Sequence, residues 1–531
     1  MKDLIPVVEQ SEVNAYDEMP YQGRSYPQSS PDHMRMVGKL FGMNPPATET
    51  SRILELGCAE GSNLLPHAVK YPKAELVGID LSKVQIDAGK KHVQRLRLQN
   101  IELKHMSIVD IDQAFGEFDY IICHGVFSWV PDFVRNKILE VCSKNLSPQG
   151  VAYISYNALP GWNMIRTIRD MMLYHSQKFK NLEDKIDQSR LLLSFVNEAL
   201  QENNSPYALM LKQEADMLLG HDNRYLRHEY LEENNKPFYF SDFMVEASKH
   251  NLRYLSDTKV STMFVGNFPQ KAAQELTNID DIITTEQYMD FITNRRFRNT
   301  LLCHGNVAVD RQLNDAMARN FTMSARVSTD RPLSKENLES EERITFYFNE
   351  NKKKHVSTDS PALKAILYTF QETQINPLSF NEIVEQAYKK IDRIDKTKVE
   401  EALENNAISL FIRGMLELSL ATGKYGKLDL NKPKLYRLAL YQIRSTPNEW
   451  IVNTMHNSIS IDYFDRLVGQ YMNGRKTVGQ ILEKLIESAN SGEFSLATNE
   501  NPITTQKDLE KALHSVVNQV INKFHKAALL V

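Results

Sequence analysis

Hydrophobic and polar positions along the first 165 residues alternate between two periods. Short apolar runs at Ile53–Leu56, Leu76–Ile79, Ile101–Leu103, Phe118–Cys123 and Val151–Ile154 have the length of buried strands. Helical patterns separate them. Ser82 stands where it can cap a helix running from Val84, and Pro131 and Asp132 open another, a position that tolerates the missing N–H of proline. Strands alternating with helices predict an α/β fold, a Rossmann-like, mostly parallel sheet with helices on both faces. Leu146-Ser147-Pro148-Gln149-Gly150 reads as a turn before the last of these strands. Helical spacing then takes over at Met164, Ile168, Met171 and Met172, and again at Ile186, Leu193, Val196 and Leu200. From about 332 the texture changes: a polar stretch, a strand-like Ile344–Phe348, and a charge run at Lys352–His355 read as a solvated loop. Near the end, Thr477-Val478-Gly479-Gln480 has the capping-box form, followed by apolar Val478, Ile481, Leu482, Leu485 and Ile486 on one face. A second helix carries Leu509, Leu513, Val516, Val517, Val520 and Phe524. Two such helices with strand-like ends suggest a winged-helix-like module. The expected units are 1–165, a mainly helical 166–305, a middle domain 306–440 and a C-terminal domain 441–531.

Composition narrows the class. A chain of 531 residues, 42% hydrophobic and 24% charged, is globular rather than disordered. The net charge of −4, spread along the chain, argues against a dedicated nucleic-acid binder. Cys58, Cys123, Cys142 and Cys303 are too few and too scattered for a disulfide framework or a zinc cluster, so reduced thiols in a cytoplasmic protein are expected. The first 18 residues have no signal-like apolar core, and no apolar run approaches the ~18 residues of a membrane span. Membrane insertion is therefore not expected.

The chemistry concentrates where the first apolar run breaks. A dinucleotide site wants glycines in the register of Gly57, Ala59 and Ser62, and two of the three are missing. The glycine at 61 instead gives Glu55-x-Gly57-x-Ala59-x-Gly61, a spacing that resembles motif I of class I S-adenosylmethionine methyltransferases. Small residues would let backbone N–H groups approach the methionine and ribose moieties. Asp80, at the tip of the second run, is an acceptor for two ribose hydroxyls. Taken alone, this motif leaves an NAD site or a plain βαβ unit open. Ser107-Ile108 falls where an adenine ring would sit; many relatives carry an acid in place of Ser107, and Asp110 is a nearby alternative. The run ending in His124 lies beside the cofactor, because ligands gather at the carboxyl ends of strands in an open α/β sheet. Two strand-end loops collect His124, Phe127, Trp129, Tyr156, Asn157 and Trp162. These side chains either pack a lid or form a pocket for an amine, since aromatic faces attract ammonium groups. In the second reading Tyr156, Asn157, His124 and Trp129 orient the attacking lone pair. The arm Tyr16–Pro31 holds three tyrosines in eleven residues, a density that buries area, and is expected to close over the cofactor.

In combination, Tyr16-Asp17, Pro20-Tyr21, Gln28-Ser29, the runs ELGCAEGSN, FDYIICHGVFSWVP and SYNALPGW, His228–Glu232 and Arg295–His304 carry a family likeness. Over roughly 14–305 the chain resembles bacterial methyltransferases with a methyltransferase regulatory domain, in particular the rickettsial protein-lysine methyltransferases that modify outer membrane protein B. Ser29 stands where relatives often have threonine, which keeps a hydroxyl. The resemblance implies S-adenosylmethionine as cofactor and S-adenosylhomocysteine as product. It implies binding by Tyr21, Gln28, Glu55, Gly57, Cys58, Ala59, Gly61, Asn63, Asp80, Leu81, Ser107, Ile108 and His124. It further implies lysines of an outer membrane protein as acceptors before export, and a homodimer formed through residues near 165–220. The run His228-Glu229-Tyr230-Leu231-Glu232 departs from a zinc motif at Glu232, so no metal is expected, only capping and hydrogen bonding at a helix end. Arg295-Arg296-Phe297-Arg298 reads as a contact for an acidic substrate or as a helical face paired with acids. The loop His124-Gly125-Val126-Phe127 lacks the N/D-P-P-Y/F/W pattern of amino-methylating DNA enzymes. A small-molecule or nucleic-acid methyltransferase, or a non-catalytic protein of this fold, remains the alternative. The long stretch beyond the catalytic domain favours a macromolecular acceptor.

Overall fold

The computed structural model describes residues 23–232, 234–348, 352–420, 429–498, 501–502 and 505–531. Each apolar run of the first 165 residues forms a strand: β1 (Arg52–Leu56), β2 (Glu75–Asp80), β3 (Ile101–His105), β4 (Phe118–Cys123) and β5 (Leu146–Asn157). Neighbours among them run parallel. The chain steps outward from β1 to β2 and β3, then returns to place β4 on the other side of β1. That reversal is the switch point where an open sheet leaves a crevice at its carboxyl edge. Alternation along each strand feeds two cores. Tyr120, Val151 and Tyr153 pack on one face, and Ile121, Ala152, Ile154 and Tyr156 on the other. The turn expected at 146–150 lies within β5, where pairing jumps from Phe118–Leu146 to Tyr120–Val151 and the extra residues bulge out.

Beyond 165 the chain is mainly helical, as expected, but two strands also join the sheet. Helices Trp162–Ser176, Leu182–Ala199, Pro206–Leu219 and Asn223–Tyr230 form a cluster with its own core. Two further strands, β6 (Leu252–Asp257) and β7 (Phe297–His304), then join the sheet, giving the order β3-β2-β1-β4-β5-β7-β6 with β7 antiparallel to both neighbours. The helical cluster is thus an insertion between strands of one sheet. The basic run belongs to this edge, not to a helix. Arg298 is fully buried and donates to Glu286 (2.9 Å) and Asp290 (2.7 and 2.9 Å), while Arg295 pairs with Asp257 and Asp290, and Arg296 with Glu214. Arg295 and Arg298 thus tie this edge to β6 and to the helix Ile282–Thr293, and Arg296 ties it to the insertion, so each arginine already has an acidic partner within the protein.

In the middle region Val327–Thr329, Ile344–Phe348 and Lys354–Thr358 make a three-stranded sheet, so the lysine run leads into an edge strand. The last unit is a winged helix. Helices Val478–Asn490 and Gln506–Lys526 pack together beside a hairpin of Trp450–Val452 and Ser458–Ser460. Thr477 and Gln480 form the expected reciprocal cap. All four cysteines are unpaired and buried. Among the described residues no helix is long and apolar enough to cross a membrane.

Candidate active site

A cavity of about 600 Å³ opens at the carboxyl ends of β1, β2 and β4 and runs toward the helical insertion. Its inner end is built by the turn after β1. Gly57, Ala59 and Gly61 have φ of 74°, 50° and 77°, so the chain turns left-handed three times in five residues. A Cβ on Gly57 would lie 2.5 Å from Val126 Cγ2, and only glycine permits that approach. The turn's N–H groups are used inside the protein. Gly57 and Cys58 donate to Ile79 O (2.9 and 3.0 Å), Gly61 to Cys58 O (2.8 Å) and Ala59 to Asp80 Oδ2 (2.8 Å). The N–H groups of Gly57, Cys58, Ala59 and Gly61 are thus engaged inside the protein, and these small residues supply room. Asp80 Oδ1 accepts from Ser82 N (2.8 Å). Asp80 lines the cavity.

Glu55 sits at the cavity floor, 3% exposed. Its Oε1 accepts from Asn63 Nδ2 (2.8 Å), while Oε2 is buried and has no partner among the described residues. Burial pushes the carboxyl up to about 8. An orphaned acid of this kind fits a ligand carrying a cationic donor, such as the α-ammonium of a methionine moiety, which would supply the missing bond. Cys58, Ala59, Asn63, Leu81, Ser107 and Ile108 line the same end. Ser107 also caps the short turn that follows it. His124 is held neutral by burial, which lowers it to about 3. Its Nδ1 lies 2.7 Å from the Tyr153 hydroxyl, and its ring centre lies 3.8 Å from that of Tyr26 with the rings tilted by 34°. Gly23, Arg24 and Tyr26, from the described part of the arm, line the cavity from above.

The outer end is different in character. Trp129 and Trp162 meet edge to face at 6.0 Å. Asn157 presents a buried side chain whose Nδ2 has no partner among the described residues. Opposite, helix Asn223–Tyr230 contributes Tyr225, His228, Glu229 and Tyr230. Burial pushes the Glu229 carboxyl up to about 7, against the lowering influence of His228. Sequence reasoning missed Glu229, because the His228–Glu232 run invited a metal reading. The described residues hold no cluster of three or more metal-ligating side chains. The usable signal was an acid between His228 and Tyr230 on a short helix.

Three expected residues fall elsewhere. Tyr156 points to the opposite sheet face from Asn157, as strand alternation requires. There it stacks on Phe243 (4.2 Å) with its hydroxyl 3.1 Å from Thr300 Oγ1, buried in apolar core rather than lining the cavity. Gln28 lines a second cavity with His67 and His456. Gly61 packs toward Leu103 behind the turn and does not line the cavity. Tyr21 lies outside the described residues, with the rest of the arm before Gly23.

Family models match three stretches: a methyltransferase domain at 53–150, a predicted methyltransferase regulatory domain at 222–304, and the PKMT C-terminal winged helix domain at 431–529. An uncharacterised protein of Rickettsia prowazekii (strain Madrid E) is 48% identical over 519 residues, 98% of this chain and 94% of that protein. Among solved structures, PKMT2 from Rickettsia typhi is 39% identical and covers 96% of this chain and 100% of its own, with a TM-score of 0.88. The same protein in complex with AdoHcy gives 0.89 at the same identity and coverage.

Proposed function

Because the chain belongs to the PKMT family of S-adenosylmethionine-dependent methyltransferases, we propose that it methylates the ε-amino groups of lysines in a protein acceptor. The observation that carries the choice of lysine is the outer end of the cavity. Two tryptophans, two tyrosines and one carboxylate surround a space continuous with the motif I turn. Aromatic faces and a carboxylate recognise an ammonium group; a hydroxyl or carbon acceptor needs neither.

S-adenosylmethionine, when bound, supplies a methyl carbon already activated on a sulfonium, so alignment of the lone pair dominates the rate. Within this reading Asp80 accepts from the ribose hydroxyls, Glu55 from the α-ammonium, and Leu81, Ser107 and Ile108 enclose the adenine. Trp129 and Trp162 hold the lysine stem and head. Glu229 draws the ammonium in, accepts a proton from Nζ and leaves the amine neutral, and Asn157 orients that amine. Buried and neutral, His124 serves as a wall and not as a base.

The acceptor proposed is an outer membrane protein modified at several lysines in the cytoplasm before export, a reading supported by the family likeness. A homodimer is proposed through the helical insertion. Tyr174, Leu191, Phe195 and Tyr207 are exposed there at 78, 60, 64 and 55%, more apolar surface than a solvated helical face usually shows. The lysine assignment is tested by incubating an acceptor protein with methyl-labelled S-adenosylmethionine before and after chemical acetylation of its lysines. Acetylation should abolish labelling; label that survives would point to another acceptor group.

A further inference from the structure

The motif I turn is held from outside by the winged-helix domain. Between the strands of its hairpin, His456 adopts φ 65° and is 5% exposed. Its Nε2 lies 2.8 Å from Asn63 Oδ1, a residue 393 positions earlier. The backbone N–H of Tyr26 donates to the same oxygen (3.0 Å). A peptide N–H can only donate, so the amide orientation of Asn63 is fixed and His456 Nε2 must carry its proton. The other half of the amide donates to Glu55 Oε1 (2.8 Å) and to Ser29 Oγ (3.1 Å). One side chain of the C-terminal domain thus holds the residue that positions the acid at the cavity floor.

The grip has a second point and a firm base. Arg24 lies 4.5 Å over the Trp450 ring, and Ser25 Oγ is 3.3 Å from Ser458 Oγ. The segment Gly23–Ser30 is therefore held on its outer side by the hairpin, while Gly23, Arg24 and Tyr26 line the cavity on its inner side. The hairpin turn is itself tied down. Asn453 Oδ1 accepts from Met455 N and Asn457 N (2.9 and 2.8 Å), and Asn453 Nδ2 and Thr454 Oγ1 donate to Ala527 O and Ala528 O (2.8 and 3.0 Å) at the end of the last helix. Motion of the hairpin away from the sheet would remove a donor from Asn63 and release the strap in one step.

We propose that the winged-helix hairpin is a clamp on the cofactor site, with His456 as a positioning residue that acts through Asn63 on Glu55 and on the strap Gly23–Ser30. His456 does not touch the reacting atoms. It sets how well the site is assembled before S-adenosylmethionine enters, so its effect belongs in cofactor affinity and not in the transfer step. This goes beyond the choice of acceptor and does not depend on it.

The test uses the full-length chain. In His456→Ala, calorimetry with S-adenosylhomocysteine should show affinity reduced about tenfold, within the usual range for coupled sites. KM for S-adenosylmethionine should rise in parallel, while kcat at saturating cofactor and KM for the acceptor protein stay within about twofold. His456→Gln, whose amide can donate to Asn63 Oδ1, should recover most of the affinity. Coupling is reciprocal, so cofactor must also favour the docked hairpin in the wild-type protein, where folding is not in question. Hydrogen exchange at Ser458–Ser460 should slow several-fold on adding S-adenosylhomocysteine. Unchanged affinity in His456→Ala, a loss confined to kcat, or hairpin exchange indifferent to the ligand would each overturn the clamp.

Discussion

Replacing Glu229 by glutamine keeps the shape of the cavity's outer end and removes its charge. An ordinary lysine gives up its proton near 10.4 and an ordinary glutamate near 4.3, so transfer between them climbs about 8 kcal/mol. With Glu229 pushed up to about 7 by burial, the climb falls to roughly 4–5 kcal/mol before any desolvation of the lysine. The sign of the pH dependence follows. Below about 7 Glu229 is a neutral acid that neither attracts the ammonium nor accepts its proton; above it the carboxylate does both. With S-adenosylmethionine saturating, kcat/KM for the acceptor protein should rise through about 7 as pH increases, and then continue upward as lysine itself deprotonates. Saturation matters because Glu55, raised to about 8 in the empty site, would otherwise add its own inflection. Glu229→Gln should lose the rise near 7. Its kcat/KM on the alkaline side should fall by about 10- to 150-fold, equivalent to the ~1.5–3 kcal/mol of a hydrogen bond to a charged group. Cofactor affinity by calorimetry should change less than twofold. A wild-type profile flat across neutral pH, or a variant that keeps the inflection, would refute the role.

Asp80→Ala should weaken S-adenosylmethionine binding by about 1–3 kcal/mol, and unchanged affinity in calorimetry would remove Asp80 from the ribose site. Tyr156→Phe deletes the hydroxyl contact with Thr300 and should lower stability by about 1 kcal/mol in urea unfolding while kcat stays within twofold; a collapse of kcat would return Tyr156 to the active site. Arg298→Met removes the buried guanidinium shared by Glu286 and Asp290 and should lower stability by about 3–5 kcal/mol, visible as a lower unfolding midpoint; a neutral result would mean that Tyr254 and Arg295 suffice to hold the two acids. The charge-introducing pair Leu191→Asp with Phe195→Asp should convert a dimer to a monomer in light scattering, and an unaltered mass would place any interface elsewhere.

What was legible in the sequence was local. Strand and helix periods fell on β1 to β5, and the motif I turn and Asp80 stood out because a tight turn and an acceptor at a strand tip leave marks within a few residues. Trp129 and Asn157 were visible for the same reason, lying at strand ends. Tyr156 shows the limit: its residue type suited the chemistry, but parity along β5 turned it into the core. Strands β6 and β7 were hidden because Leu301-Leu302-Cys303 is contiguous rather than alternating, as expected of a strand buried on both faces, and because the preceding arginines read as a substrate contact or a helical face. Glu229 left only the mark of an acid on a short helix, and His456 had no local signature. One depends on how an inserted helix faces the cavity, and the other on a contact between the two ends of the chain.

The most direct test of the account is peptide mass spectrometry of acceptor proteins after incubation with the full-length enzyme and methyl-labelled S-adenosylmethionine. The account predicts label on lysine side chains, in mass steps of one methyl group each, lost in Asp80→Ala and strongly reduced in Glu229→Gln. Label found only on free metabolites or nucleic acid, with protein lysines unmodified, would contradict it.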